Sequence, residues 1–130
     1  MIVVDASVVA AALSVEGKDG DSARGRLIEA GDLHAPHLVD LEVTSVLRRR
    51  CRLGGIEEQQ VDAALKDLRE LRLTRYPHFP LLPRIWELRS NLCPYDAAYV
   101  ALAEALECSF VTGDQKLGRA PGIQCEVEVL

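Results

Sequence analysis

The sequence predicts an α/β fold with a mainly parallel sheet, and three observations lead there. Ile2-Val3-Val4 and Ser109-Phe110-Val111-Thr112 are short apolar runs rich in β-branched side chains, the pattern of strands buried on both faces. Such runs alternate along the chain with longer stretches of helical periodicity. Glycine and proline mark the boundaries, as at Pro36, Gly54-Gly55 and Gly113.

The first strand candidate ends at Asp5-Ala6-Ser7, and residues 8–13 begin a helix. Residues 15–20, with two glycines, read as loop, followed by a helix over 22–30 with Asp21 as N-cap and Gly31 closing it. Residues 33–35 form a strand candidate stopped by Pro36. A long helix through Leu38, Leu41, Val43, Val46 and Leu47 then reaches Cys51, and Gly54-Gly55 stops it. The next helix, from Glu57, places Val61, Leu65, Leu68 and Leu71 on one stripe. Residues 73–76 are expected as strand and 81–89 as helix. A helix over 95–106 carries Asp96 in its first turn, and the strand 109–112 stops at Gly113-Asp114. A short helix around 116–118 and a strand over 123–129 complete the expectation.

The 130 residues, 48% hydrophobic and 27% charged, are expected to form a single domain, 1–130, that needs no disulfide. Cys51, Cys93, Cys108 and Cys125 are scattered without a C-x-x-C pair, so zinc-site spacing is absent and free thiols are expected. No apolar run approaches the ~20 residues needed to cross a bilayer. The start lacks the basic segment of a secretory signal, so the expected location is cytoplasmic. A net charge of −5 speaks against a nucleic-acid binder unless several acids gather at one cation site. Arg48, Arg49, Arg50 and Arg52 form one basic run and Arg69, Arg72 and Arg75 a second; solvated helix faces are the plainer reading of both.

The acids carry the chemistry. In parallel α/β sheets, ligands sit beyond the carboxyl ends of the strands. Asp5 ends the first strand, Asp114 follows the strand 109–112, and Asp96 opens a helix that can reach the same rim. Each also has an ordinary reading: Asp96 as a helix N-terminal acid, Asp114 as a turn residue. Glu42, among core positions of the long helix, is read either as a member of the site or as a half-solvated residue at the edge of the apolar stripe. If the four meet, each pair of charges about 4 Å apart repels by roughly 4 kcal/mol at an effective dielectric of ~20, and the group must protonate or bind a cation. Oxygen donors select a hard ion, Mg2+ or Mn2+, and such a site suits phosphodiester cleavage. Ser7 and Thr112 either orient an acid or a water, or bond the local backbone.

Four stretches carry a family resemblance: Ile2-Val3-Val4-Asp5-Ala6-Ser7; Pro36-His37-Leu38 leading to Glu42 and Val46-Leu47-Arg48; Tyr95-Asp96-Ala97-Ala98-Tyr99-Val100-Ala101-Leu102-Ala103; and Val111-Thr112-Gly113-Asp114-Gln115-Lys116-Leu117. In this order, and spanning essentially the whole chain, they resemble the PIN-domain nucleases and among them the VapC-type toxins of toxin–antitoxin pairs. The resemblance implies a three-layer α/β/α sandwich. It also implies Asp5, Glu42, Asp96 and Asp114 as metal-binding acids, with Ser7 and Thr112 as supporting hydroxyls. The implied activity is a Mg2+-dependent endoribonuclease that cuts cellular RNA and arrests translation. The implied partner is a VapB-type antitoxin, in a homodimer or a toxin–antitoxin hetero-oligomer. Some relatives carry a further acid after the position of Asp114, where this chain has Gln115 and Lys116; that puts a second tightly bound metal in question.

Other residues are read as structural. His34 and His37 are kept off a shared helix face by Pro36 and do not make a metal pair. His78 is expected in a loop, Trp86 in core or interface packing, and Tyr99 either near the site or in the core. Two other readings of the acids share this fold: an RNA-processing nuclease with no antitoxin, and a non-catalytic binding module. A phosphoacceptor receiver domain is disfavoured, because Asp5 has no acidic neighbour and residues 73–77 contain no Asp.

Overall fold

Val3, Val4 and Val111 are completely buried, because the strands that carry them are central and covered on both faces. The computed structural model describes residues 1–130. Five strands, β1 (Ile2–Val4), β2 (Leu33–Pro36), β3 (Leu73–Tyr76), β4 (Ser109–Thr112) and β5 (Val127–Val129), form one sheet in the order β3-β2-β1-β4-β5. Every pairing is parallel, so the sheet is wholly rather than mainly so. Six α-helices connect them: α1 (Ala6–Ser14), α2 (Lys18–Ala30), α3 (Val39–Arg52), α4 (Glu58–Glu70), α5 (Leu82–Glu87) and α6 (Pro94–Leu106).

From β1 the chain steps one way, through α1 and α2 to β2 and through α3 and α4 to β3. It then crosses back through α5 and α6 to β4. Right-handed crossovers send these two sets of helices to opposite faces. In agreement, α1 packs with α2, α3 and α4, whereas α6 packs with α5 and lies across β1, β2 and β4. The result is a three-layer α/β/α sandwich. Because the connections leave β1 and β4 in opposite directions, a crevice opens at the carboxyl ends of these two neighbouring strands.

Tyr99 and Phe110 are the largest fully buried side chains, their rings stacked with centroids 5.8 Å apart. Three two-pronged Arg–carboxylate pairs brace the periphery. Arg26 joins α2 to Glu128 on β5 (2.9 and 3.0 Å), Arg75 joins β3 to Asp40 on α3 (2.7 and 2.8 Å), and Arg84 joins α5 to Glu104 on α6 (2.7 and 3.1 Å). No helix is long and apolar enough to cross a membrane.

Several sequence expectations need correction. The loop over 15–20 is shorter, because α2 begins at Lys18 with Gly17, not Asp21, at its N-cap. Gly17 takes φ 87°, and at Gly20 an added Cβ would stand 1.7 Å from the Val15 carbonyl oxygen. The two glycines thus build a tight helix entry rather than a loop. Pro36 does not stop β2 but is its last residue, paired with Tyr76; the next donor, His37 N–H, reaches the Tyr76 carbonyl at 2.8 Å. The helix expected over 81–89 is a 3-10 turn, Phe79–Leu81, running into a shorter α5, with prolines at both starts. The short helix near 116–118 is a 3-10 turn, Leu117–Arg119. The final strand narrows from 123–129 to Val127–Val129, paired with the last three residues of β4. Along α4, the stripe is buried at Ala64 and Leu68, while Val61, Leu65 and Leu71 are only partly covered. Trp86 is not in the core: it is 67% exposed, with the Arg89 guanidinium 4.5 Å above its ring.

Gly20→Ala tests the helix entry. Helix propensity alone would favour alanine by ~1 kcal/mol, but the Val15 carbonyl leaves it no room. The expected result in urea unfolding is a loss of about 2–3 kcal/mol; a gain would show that the close approach does not constrain the chain.

Candidate functional site

Asp5 leaves β1 at the crevice and serves as N-cap residue of α1. Its N–H donates to the Val111 carbonyl (2.9 Å), which fixes its height against β4. This register brings Thr112 alongside, and its hydroxyl donates to Asp5 Oδ2 at 2.6 Å; the Ser7 hydroxyl donates to the same oxygen at 3.2 Å. Both hydroxyls also accept from the turn after β4, Ser7 from Gly113 N–H and Thr112 from Asp114 N–H, each at 3.1 Å. A Cβ at Gly113 would lie 3.1 Å from Ser7 Oγ, so a larger residue here would press on this hydroxyl. Two hydroxyls therefore join the carboxylate after β1 to the turn that carries the carboxylate after β4. Asp114 is exposed and accepts Lys116 N–H at 2.9 Å.

Asp96 sits in the first turn of α6, behind Cys93 at the N-cap and Pro94, a residue suited to a helix start. Its pKa is raised, first by burial and then by the charges of Asp5 and Asp114, against an opposing hydrogen bond with the Cys93 thiol. Glu42, in the first turn of α3, also has a raised pKa. Burial is again the main cause, with Asp5 and Asp96 adding to it and a hydrogen bond from Tyr99 opposing it. Each of the four acids thus feels at least one other, and they share the rim at the carboxyl ends of β1 and β4. Glu42 is partly buried, and the charges of Asp5 and Asp96 reach its carboxyl.

The surroundings sharpen the contrast. None of the chain's seven ion pairs involves these four carboxylates. Asp40, two residues before Glu42, is held by Arg75. No three His, Cys, Asp or Glu side chains stand together as a ready-formed cation cage. The well-formed concavities also lie elsewhere, one of about 440 Å3 near Glu104, Cys108 and Cys125 and another of about 590 Å3 near Asp40 and Arg75. The carboxylates occupy an open edge.

Sequence reasoning missed two contacts. Cys93 was read only as a free thiol, yet it caps α6 beside Asp96, and burial raises its own pKa; the Cys-Pro pair before a helical run was the available signal. The readings of Tyr99 as core or as site both hold: it is fully buried, and its hydroxyl donates to Glu42 Oε1 at 2.6 Å. His34 and His37 do not pair. His34 Nδ1 lies 2.7 Å from the Tyr76 hydroxyl, its Nε2 lies 2.9 Å from Asp32 Oδ1 but off the hydrogen-bond axis, and His37 is exposed.

Comparison with known proteins adds the following. The profile of the PIN domain family matches residues 2–123. The chain is 50% identical over 133 aligned positions to Ribonuclease VapC9 of Mycobacterium tuberculosis, covering 100% of this chain and 98% of the relative. It is 46% identical to Ribonuclease VapC1 of the same organism, covering 98% and 96%. Among solved structures, PAE2754 from Pyrobaculum aerophilum superposes with a TM-score of 0.70 at 24% identity, covering 98% of this chain and 83% of that one. VapBC2 from Rickettsia felis, solved bound to a DNA fragment of its promoter, gives a TM-score of 0.70 at 18% identity, covering 98% of both chains. At these identities the structural likeness speaks for the fold.

The raised pKa values of Glu42 and Asp96 have a definite sign in stability. A carboxyl whose folded pKa lies above its unfolded one binds more protons when folded. It therefore costs stability as pH rises from the ordinary carboxylate range through the folded value, and the cost is complete above that value. In chelator, Asp96→Asn is expected to raise the thermal midpoint at neutral pH, with the gain over the parent chain vanishing as pH falls through this window. A variant less stable than the parent at neutral pH would remove the electrostatic account.

Proposed function

The chain belongs to the PIN-domain family, and from that premise we propose that it is an endoribonuclease, the toxin of a VapBC-type pair. In this reading Asp5, Glu42, Asp96 and Asp114 hold Mg2+ or Mn2+, and a cognate VapB-type antitoxin covers the helices and blocks the site. The whole-length identity to the named VapC ribonucleases supports the activity. The observation that supports the site assignment is that carboxylates from distant parts of the chain neighbour one another, Asp5 and Asp96 acting on Glu42, and Asp5 and Asp114 on Asp96, with no Lys or Arg paired to any of the four.

The donor set fits a hard dication. All four groups offer oxygen, the donor type that hard dications take. Mg2+ keeps several waters and takes one or two carboxylates directly, so donors that are spread rather than caged suit it. When bound, such an ion activates water at neutral pH and offsets charge on phosphate oxygens.

The chain's own groups set the orientation. Thr112 and Ser7 both donate to Asp5 Oδ2, so two uncharged hydroxyls orient this carboxylate. Asp114 follows the turn bonded to Ser7 and Thr112, and Asp96 on α6 and Glu42 on α3 both feel the charge of Asp5. RNA as substrate, the cytoplasm as its setting and a homodimer or toxin–antitoxin hetero-oligomer as the assembled state belong to the same proposal.

The test is cleavage of cellular RNA by the purified chain, with RNA ends mapped after brief induction in cells. Asp5→Ala and Asp96→Asn are each expected to reduce cleavage to background while the folded state persists. Cleavage retained by either variant counts against the assignment. Excess chelator is expected to stop the parent enzyme and added Mg2+ or Mn2+ to restore it; activity unaffected by chelator would remove the metal. Growth arrest on induction, relieved by co-expressing a short reading frame from next to the gene, separates the toxin from an RNA-processing nuclease with no antitoxin.

A further inference from the structure

Glu42 differs from the other three acids in how it is held. Asp5 and Asp114 follow sheet strands directly and are joined through Thr112, and Asp96 lies in the turn that opens α6. Glu42 projects from α3, and neither a strand end nor a basic side chain sets the angle of its carboxylate. Its one hydrogen-bonded side-chain partner is the Tyr99 hydroxyl, 2.6 Å from Oε1. That distance is in the range of a charge-assisted O–H···O− bond.

Tyr99 is well placed to set this angle. It is fully buried, so its ring has little room to move, and it stacks on Phe110 of β4 with planes 21° apart. A buried phenol needs an acceptor, and Glu42 supplies it. The ring packs on the sheet while the hydroxyl reaches an acid on α3, so the contact fixes Glu42 relative to β4. Tyr99 also lies one helical turn beyond Asp96 on α6, so one helix provides one acid and holds another.

We infer that Tyr99 is a positioning residue for the cation site: its hydroxyl fixes Oε1 of Glu42 and leaves Oε2 to face the other carboxylates. The inference rests on the site assignment proposed above. It assigns Tyr99 no contact with RNA or with the reacting atoms. Partners of this kind, which orient a ligand without binding the ion, typically change metal affinity by about 10–100-fold when removed.

The experiment is a titration with Mn2+, read by electron paramagnetic resonance on four forms of the full chain: parent, Tyr99→Phe, Glu42→Gln and the double variant. Tyr99→Phe keeps the ring and its stacking, and a thermal melt of each form confirms that it is folded. Tyr99→Phe is expected to weaken Mn2+ binding about tenfold in the parent background and to add nothing once Glu42 is Gln. A purely structural role would weaken binding equally in both backgrounds, and that result overturns the inference, as does parent-like binding by Tyr99→Phe. In either case the site assignment stands, because the parent chain still binds. A parent chain that takes up no Mn2+ overturns both.

Discussion

Mutual repulsion among Asp5, Glu42, Asp96 and Asp114 is the constraint to which the rest of the site is fitted. Two of the four have pKa values raised first by burial and then by neighbouring acids, Glu42 by Asp5 and Asp96, and Asp96 by Asp5 and Asp114, so the folded chain holds partly buried charge without a basic partner. A domain stable by only about 5–15 kcal/mol tolerates this because the strain is confined to one edge and shared with hydrogen-bond donors that carry no charge. Thr112, Ser7 and Tyr99 all donate to these acids, and none adds a cation that would neutralise the site. An arginine in any of their places would quiet the repulsion and remove the reason to bind a dication.

Topology explains why the edge is where it is. The chain leaves β1 toward β2 and leaves β4 toward β5, so no connection covers the carboxyl ends of these central strands. The same strands are the most deeply buried and bring Asp5 and Thr112 into contact with little freedom. Arg–carboxylate braces lie on the periphery, at Arg26, Arg75 and Arg84, and tie helices to one another or to sheet edges. Charge pairing is thus used for bracing the frame and withheld from the crevice.

The sequence was most legible where a single local rule decides the outcome. The Ile2-Val3-Val4 run followed by Asp5, and Ser109 to Thr112 followed by Gly113-Asp114, are each a buried strand with an acid at its end, and that pattern needs no tertiary knowledge. Glu42 is ambiguous because helical periodicity cannot distinguish a rim position from a site position; the contact that holds it, a phenol from α6, lies 57 residues away along the chain. Residues 15–20 were misread because a glycine in a loop and a glycine pressed against a carbonyl look alike in one dimension. The core half of the Trp86 reading fails for a related reason: the apolar neighbours of a short helix suggest a buried face, but α5 turns only Ile85 inward, with Leu88 just beyond its end. Strand 123–129 was overextended because its apolar pattern continues past the point where β4 offers partners.

The openness of the carboxylate edge bears on what it can accept. A small ligand is held by enclosure, which removes most of its surface from water, whereas these acids lie outside the larger hollows near Glu104 and Asp40, which are themselves open to solvent. A polymer needs the reverse: a reacting group must be reached while the chain on both sides continues past it. For a polyanion the edge alone is repulsive, and only a bound dication turns the same four acids into a point of attraction for a phosphate. Under the proposed site assignment, cation binding and phosphate recognition are coupled at this edge, in a chain whose net charge is −5.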